Sequence, residues 1–241
     1  MRSQSNHPAK DGGWYHDYEK KPIYIPSKRS APARKQNLES EYAKMEILNW
    51  RLADDMGVSL ESLNSIGVRW SNFYGAWIFP LYDGSRKLIG LNRRFKDGTK
   101  KIVAGTSGGL YLPQCEPHGI VMVCEGGGDT AALVQMGFFA IGRFTCSSCT
   151  DYIKDFFRLN KIHRYILVSQ NDTLKTTPNG NNFRPGQDGA KKLKKELGLS
   201  SVIFTCPNPV KDVRELLIKL GADDARNYIN DCISTKVWTR Y

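Results

Sequence analysis

The chain has 241 residues, 40% of them hydrophobic and 24% charged, the composition of a globular protein with room for one large core or two modest ones. Its 35 lysines and arginines against 24 aspartates and glutamates leave a net charge of +11, which favours polyanionic partners, nucleic acid first. No apolar run approaches a membrane span and the polar start lacks the apolar block of a secretory signal, so a cytoplasmic protein without membrane contact is expected.

Residues 1–36 are rich in Pro, Gly, Ser and Lys/Arg and read as a disordered basic segment, with too little apolar surface to offset the entropy of ordering. From Leu38 the spacing turns helical, with Leu38, Tyr42, Met45, Leu48 and Leu52 on one stripe. A second short helix follows Ser59 as N-cap, turns Leu60, Leu63 and Ile66 inward and stops at Gly67. Residues 76–113 alternate short β-rich runs with Asp83-Gly84 and Asp97-Gly98, both hairpin signals. The expected product is a small antiparallel unit that sets Arg93, Arg94, Lys100 and Lys101 close together across one turn. Cations facing each other across a hairpin repel unless an anion lies between them. This face therefore reads as phosphate-binding or, equally, as a solvated edge strand guarded by lysines.

The stretch from Gly119 to Gly137, GIVMVCEGGGDTAALVQMG, organises the second half of the chain. An apolar run, Ile120 to Cys124, ends on Glu125. Three glycines and Asp129 come next, then a helical pattern closed by Gly137. The spacing predicts a buried strand, a tight loop and a helix. Ligands of open parallel sheets gather outside the carboxyl ends of the strands, which places Glu125 where chemistry happens. Further strands are expected at 138–141, 165–169 and 202–205. Helices are expected at 149–159 (capped by Ser147 or Ser148), at 187–197 before Gly198, up to Leu220, and at 223–232. Residues 173–186 read as a polar loop. Such alternation argues a parallel sheet with helices on both faces.

The strands ending at Cys124 and Ser169 release Glu125 and then Asp172. If those strands are neighbours the carboxylates converge, and they repel unless a hard divalent cation such as Mg²⁺ sits between them. Asp129 is a supporting partner, and Asp212, after Lys211, a weaker candidate. Of the six cysteines only Cys146 and Cys149 have ligand-like spacing, and no second CxxC or His pair completes a zinc site, so reduced thiols are expected.

VMVCEGGGDTAAL followed by YILVSQND resembles the TOPRIM domain shared by bacterial-type primases, topoisomerases and some nucleases. By position the family's glutamate is Glu125, the aspartate of its EGxxD pattern is Asp129, and the second acid of its DxD pair is Asp172. Gln170 stands where the first acid of that pair belongs, a neutral amide in place of a charged ligand. WIFPLYDGSRKLIGLNRRF, TKKIVAG and GLYLP are similar to the basic subdomain that precedes TOPRIM in primases. There Arg94 and Lys101 match the positions that meet template and nucleotide. AIGRFTCSSC, RPGQDGAKKL and VKDVRELL are similar to primase-like proteins of phages and mobile elements.

The resemblance spans residues 40 to 232 and divides the chain into the segment 1–36, a basic helical and antiparallel subdomain at 37–115, a TOPRIM domain at 116–234 and a tail at 235–241. It implies an α/β fold: a parallel TOPRIM-type sheet with helices on both faces, preceded by a small basic α+β subdomain. It implies a DNA primase-like nucleotidyltransferase that uses Mg²⁺ (or Mn²⁺) to make short RNA primers from ribonucleotides on single-stranded DNA, in phage, plasmid or mobile-element replication. In this reading Glu125, Arg94 and Lys101 are catalytic. Glu125, Asp129, Asp172 and Asp212 hold metal, and Arg93, Arg94, Lys100 and Lys101 meet nucleic acid and nucleotide. The expected setting is the nucleoid or a replication complex. The expected partners are a replicative helicase and a separate zinc-ribbon protein, since the ribbon of bacterial primases is not seen in the sequence. The alternatives are a TOPRIM module that binds DNA without catalysis, favoured by Gln170, and less so a nuclease.

Overall fold

The computed structural model describes residues 7–8, 14–15, 37–47, 50–176, 179–198 and 201–235. Of the segment expected to be disordered, the described part is an antiparallel pair, β1 (His7–Pro8) with β2 (Trp14–Tyr15), which belongs to a unit of its own, residues 1–34. The rest of that segment and residues 236–241 lie outside the described residues. The second unit, residues 35–241, carries all other elements.

The stripe expected to form one helix from Leu38 divides into α1 (Leu38–Ala43) and α2 (Trp50–Met56). The interruption falls at Glu46, whose backbone exchanges hydrogen bonds of 3.0 and 2.8 Å with Trp70 and so joins a strand edge. Leu48 of the stripe lies outside the described residues. α3 (Leu60–Ser65) starts where expected, with Ser59 Oγ accepting from the Ser62 amide at 3.1 Å. Then come β3 (Arg69–Ser71), β4 (Ala76–Tyr82), β5 (Leu88–Arg94), β6 (Lys100–Ile102) and β7 (Leu110–Tyr111). The second half runs β8 (Val121–Glu125), α4 (Gly126–Gln135), β9 (Phe139–Arg143), α5 (Thr150–Leu159) and β10 (Tyr165–Ser169). It closes with β11 (Lys175–Thr176), β12 (Asn182–Phe183), α6 (Pro185–Leu197), β13 (Ser201–Thr205), α7 (Val213–Leu220) and α8 (Ala222–Ser234).

Among the described residues, nine strands make one sheet in the order β13-β10-β8-β9-β7-β4-β5-β6, with β3 on β4. The four at the β13 end are parallel, as the alternation predicts. The others are antiparallel, and β7 joins the halves by pairing Leu110 with Arg143 and Tyr111 with Gly142. The basic half is thus continuous with the parallel half.

Both faces of the parallel strands are covered, which is why they read as unbroken apolar runs. Val121 and Val123 pack with Ile153, Phe156 and Leu193 of α5 and α6. Met122 and Cys124 point the other way, into a cluster with Leu133, Leu216 and Ile229 of α4, α7 and α8. Each such buried side chain contributes about 1.5–3 kcal/mol. The chain leaves β8 through α4 on one face to reach β9, and returns through α5 on the opposite face to β10 on the far side of β8. The crevice between the carboxyl ends of β8 and β10 is therefore the switch point of the sheet, the place where ligands bind in such folds.

Three local expectations change. No loop separates β8 from its helix: Gly126, at φ +76°, turns the chain abruptly, and the glycines form the first turn of α4. Ser148 does not cap α5. Its Oγ bonds the Thr145 amide and hydroxyl at 3.1 and 2.8 Å, which leaves Cys149 at the cap position without a side-chain capping bond. Within the polar loop, β11 and β12 pair into a short ribbon. All six cysteines are free. Among the described residues no helix is long and apolar enough to cross a membrane.

Gly127 lies where α4 meets β4, and a Cβ there would come within 2.6 Å of the Phe79 ring. Gly127→Ala is expected to lower stability by about 1–3 kcal/mol through overpacking, read as a lower urea midpoint at unchanged slope. A wild-type midpoint would contradict this contact.

Candidate active site

A cavity of about 430 Å³ opens at this switch point and extends under the β5–β6 hairpin. Glu125, Asp129 and Asp212 line it together with Arg94, Lys100 and Arg214. Gln170 and Lys211 complete its polar wall.

Glu125 ends β8 and is half-buried. Burial pushes its carboxyl pKa up and the charge of Asp172 adds to this, against Arg143, Lys100 and Lys211. Asp129 sits one turn into α4 and is only 5% exposed. Its pKa is pushed up from 3.8 to about 7, first by burial and then by Asp212, against the hydrogen bond from Gln170 and the charge of Arg214. That bond runs from Gln170 Nε2 to Asp129 Oδ2 at 3.1 Å. Asp212 caps α7, its Oδ1 accepting from the Glu215 amide at 2.8 Å. Asp172 stands outside the cavity wall, its Oδ2 accepting from the Gly186 amide at 2.7 Å.

The four hairpin cations separate by face. Arg94 lies opposite Lys100 and Arg93 opposite Lys101, and strand side chains alternate. The first pair enters the cavity and the second faces away. Burial lowers the pKa of both Arg94 and Lys100. Repulsion from Arg214 lowers Arg94 further, and repulsion from Arg94 lowers Lys100. Arg93 instead spreads over Tyr74 and Phe95, at 5.4 and 5.6 Å from the ring centres, while Lys101 is exposed. The structure thus brings Glu125, Asp129, Asp212, Arg94 and Lys100 into one cavity and leaves Asp172, Arg93 and Lys101 outside it.

Three further cations were not expected near these acids, two in the cavity wall and one beside Glu125. Lys211 and Arg214 flank Asp212 and reach the cavity from the start of α7. Arg143 is the cross-strand neighbour of Glu125, is 4% exposed and donates from Nη1 to the Cys146 carbonyl at 2.6 Å. Their signal was already in the motifs VKDVRELL and AIGRFTCSSC, where each stands at a strand–helix junction.

Among the described residues no three carboxylate, imidazole or thiolate groups converge closely enough to cage an ion. Mg²⁺ does not need such a cage: it is commonly held by one or two carboxylates, with water and substrate phosphates completing its shell. Glu125 suits that role. The three aspartates each accept a hydrogen bond from the protein, whereas Glu125 makes no such capping bond.

No protein-family model and no curated protein matches the sequence. Solved structures do match the fold. The DnaG primase catalytic domain bound to single-stranded DNA superposes with a TM-score of 0.59 at 16% identity, over 80% of this chain and 76% of that one. A DNA primase domain from Pseudomonas aeruginosa gives 0.59 at 15%, over 83% and 78%. The E. coli primase catalytic core gives 0.55 at 18%, over 83% and 75%. The chain has the fold of a DnaG-type primase catalytic core.

The raised Asp129 carboxyl sets a direction for stability against pH. Below pH 3.8 the group is protonated folded and unfolded. From there to about pH 7 the folded chain keeps a proton that the unfolded chain has released, so stability falls as pH rises, and the loss is complete above that value. In EDTA, Asp129→Asn is expected to flatten this slope and to stabilise the protein at pH 8 by something on the order of 2–4 kcal/mol. Parallel stability profiles for variant and wild type from pH 4 to 8 would contradict it.

Proposed function

We propose that this protein is a primase-type nucleotidyltransferase that makes short RNA primers on single-stranded DNA with Mg²⁺ (or Mn²⁺). The observation that carries this reading is the meeting of Arg94, Lys100 and Arg214 with Glu125 at the switch point of a primase-core fold. Three cations packed together under a hairpin repel one another, and the anion that relieves them is a phosphate chain. A metal ion held by Glu125 would supply charge neutralisation at the reacting phosphorus and steady the departing pyrophosphate.

Arg94 and Lys100 then bind and orient the phosphates of the incoming ribonucleotide. Arg214 and Lys211 extend that grip along α7. Arg93 and Lys101, on the outer face, contribute sequence-independent attraction for the template backbone. The exposed cations make association strongly dependent on salt. Single-stranded DNA as template is supported by the fold match to a primase domain bound to it. The second reading, a DNA-holding module without catalysis, is favoured by Gln170, which brings no charge to the site. Replication of a phage or mobile element, with a helicase and a zinc-ribbon protein as helpers, is the setting this reading proposes.

The test is incubation of the purified chain with single-stranded DNA, labelled ribonucleotides and Mg²⁺ or Mn²⁺. Short template-dependent RNA is expected from wild type, with a loss of roughly 10²–10³-fold in Glu125→Gln. Lys100→Ala is expected to raise the ribonucleotide KM more than Lys101→Ala. Folded wild-type protein that is inert in both metals yet binds DNA would favour the second reading.

A further inference from the structure

We infer that Gln170 takes the place of a metal ion, so that the site loads a single divalent cation, on Glu125. The inference rests on the metal-dependent reading above. Gln170 Nε2 lies 3.1 Å from Asp129 Oδ2, and Asp129 is almost fully buried. Two carboxylates at that separation repel and need a cation between them, whereas an amide turns its own N–H toward the carboxylate and removes the need. The remaining acids are engaged as well. Asp212 is tied to the Glu215 amide at 2.8 Å and Asp172 to the Gly186 amide at 2.7 Å. The Asp172 contact is confined: a Cβ at Gly186 would lie 3.0 Å from Asp172 Oδ2 and 2.8 Å from the Gln170 carbonyl oxygen. Among the described residues, Glu125 is the one acid of the cavity wall without such a bond, with Arg94 and Lys100 across the space that a phosphate would fill. Gln170 is thus a positioning residue that acts through Asp129.

The isosteric variant Gln170→Glu restores a carboxylate beside Asp129 and therefore a second ion site. Mn²⁺ titration of the full chain without nucleotide, followed by the EPR signal of free Mn²⁺, counts the ions. Wild type is expected to bind one Mn²⁺ and Gln170→Glu two. Glu125→Gln is expected to lose the wild-type ion and Asp129→Asn to keep it. Two ions on wild type, no gain in folded Gln170→Glu, or loss of the ion in Asp129→Asn would each overturn the inference while leaving metal-dependent chemistry in place. Wild type that binds no Mn²⁺ at all would overturn the metal reading and this inference with it. Should Gln170→Glu fail to fold, the Asp129→Asn count still decides.

Discussion

Charge confined at the edge of one parallel sheet is the constraint on which the rest of this structure depends. Glu125, Asp129 and Asp212 share a cavity with Arg94, Lys100 and Arg214. Burial acts on both signs, raising the pKa of Glu125 and Asp129 and lowering that of Arg94 and Lys100. Opposite charges here offset one another only in part, since Arg214 also repels Arg94 and Asp212 also repels Asp129. Such a site favours a ligand that carries both signs, and a metal-bound phosphate chain is one.

The sheet provides the rigidity that this confinement demands. The carboxyl ends of β8 and β10 are fixed by two apolar layers, while the cations arrive on an antiparallel hairpin three strands away from β9. Pairing of β7 with β9 makes the two halves one sheet, so the hairpin is placed over the switch point by backbone hydrogen bonds. Gly126 and Gly127 matter for the same reason. One turns the chain directly from strand to helix, and the other lets α4 approach Phe79, which brings Asp129 within reach of Gln170.

What the sequence made legible was local. The apolar run ending at Glu125, the Ser59 cap and the strand ending at Ser169 follow from spacing and residue type, and all three stand in the structure. The neighbour relation of β8 and β10, posed as a condition, holds as well. Other features depend on pairing across distance. Glu46 bonds to Trp70, which interrupts a stripe that looks continuous. The division of the hairpin cations depends on register, which the Phe95–Thr99 turn fixes, and a shift of one residue would exchange Lys100 for Lys101 in the cavity. The partner of Gln170 lies forty-one positions away in the chain, so its amide looked like a missing ligand until the fold showed what it bonds.

The central claim is that cation and nucleotide meet between Glu125 and the Arg94–Lys100 pair. Its most direct test is a crystal grown with Mn²⁺ and a ribonucleoside triphosphate, with the ion located by anomalous scattering. The account predicts a manganese peak on the Glu125 carboxylate, with the triphosphate between it and Arg94 and Lys100. A triphosphate seated on the outer face beside Arg93 and Lys101, or a manganese ion bound away from Glu125, would contradict it.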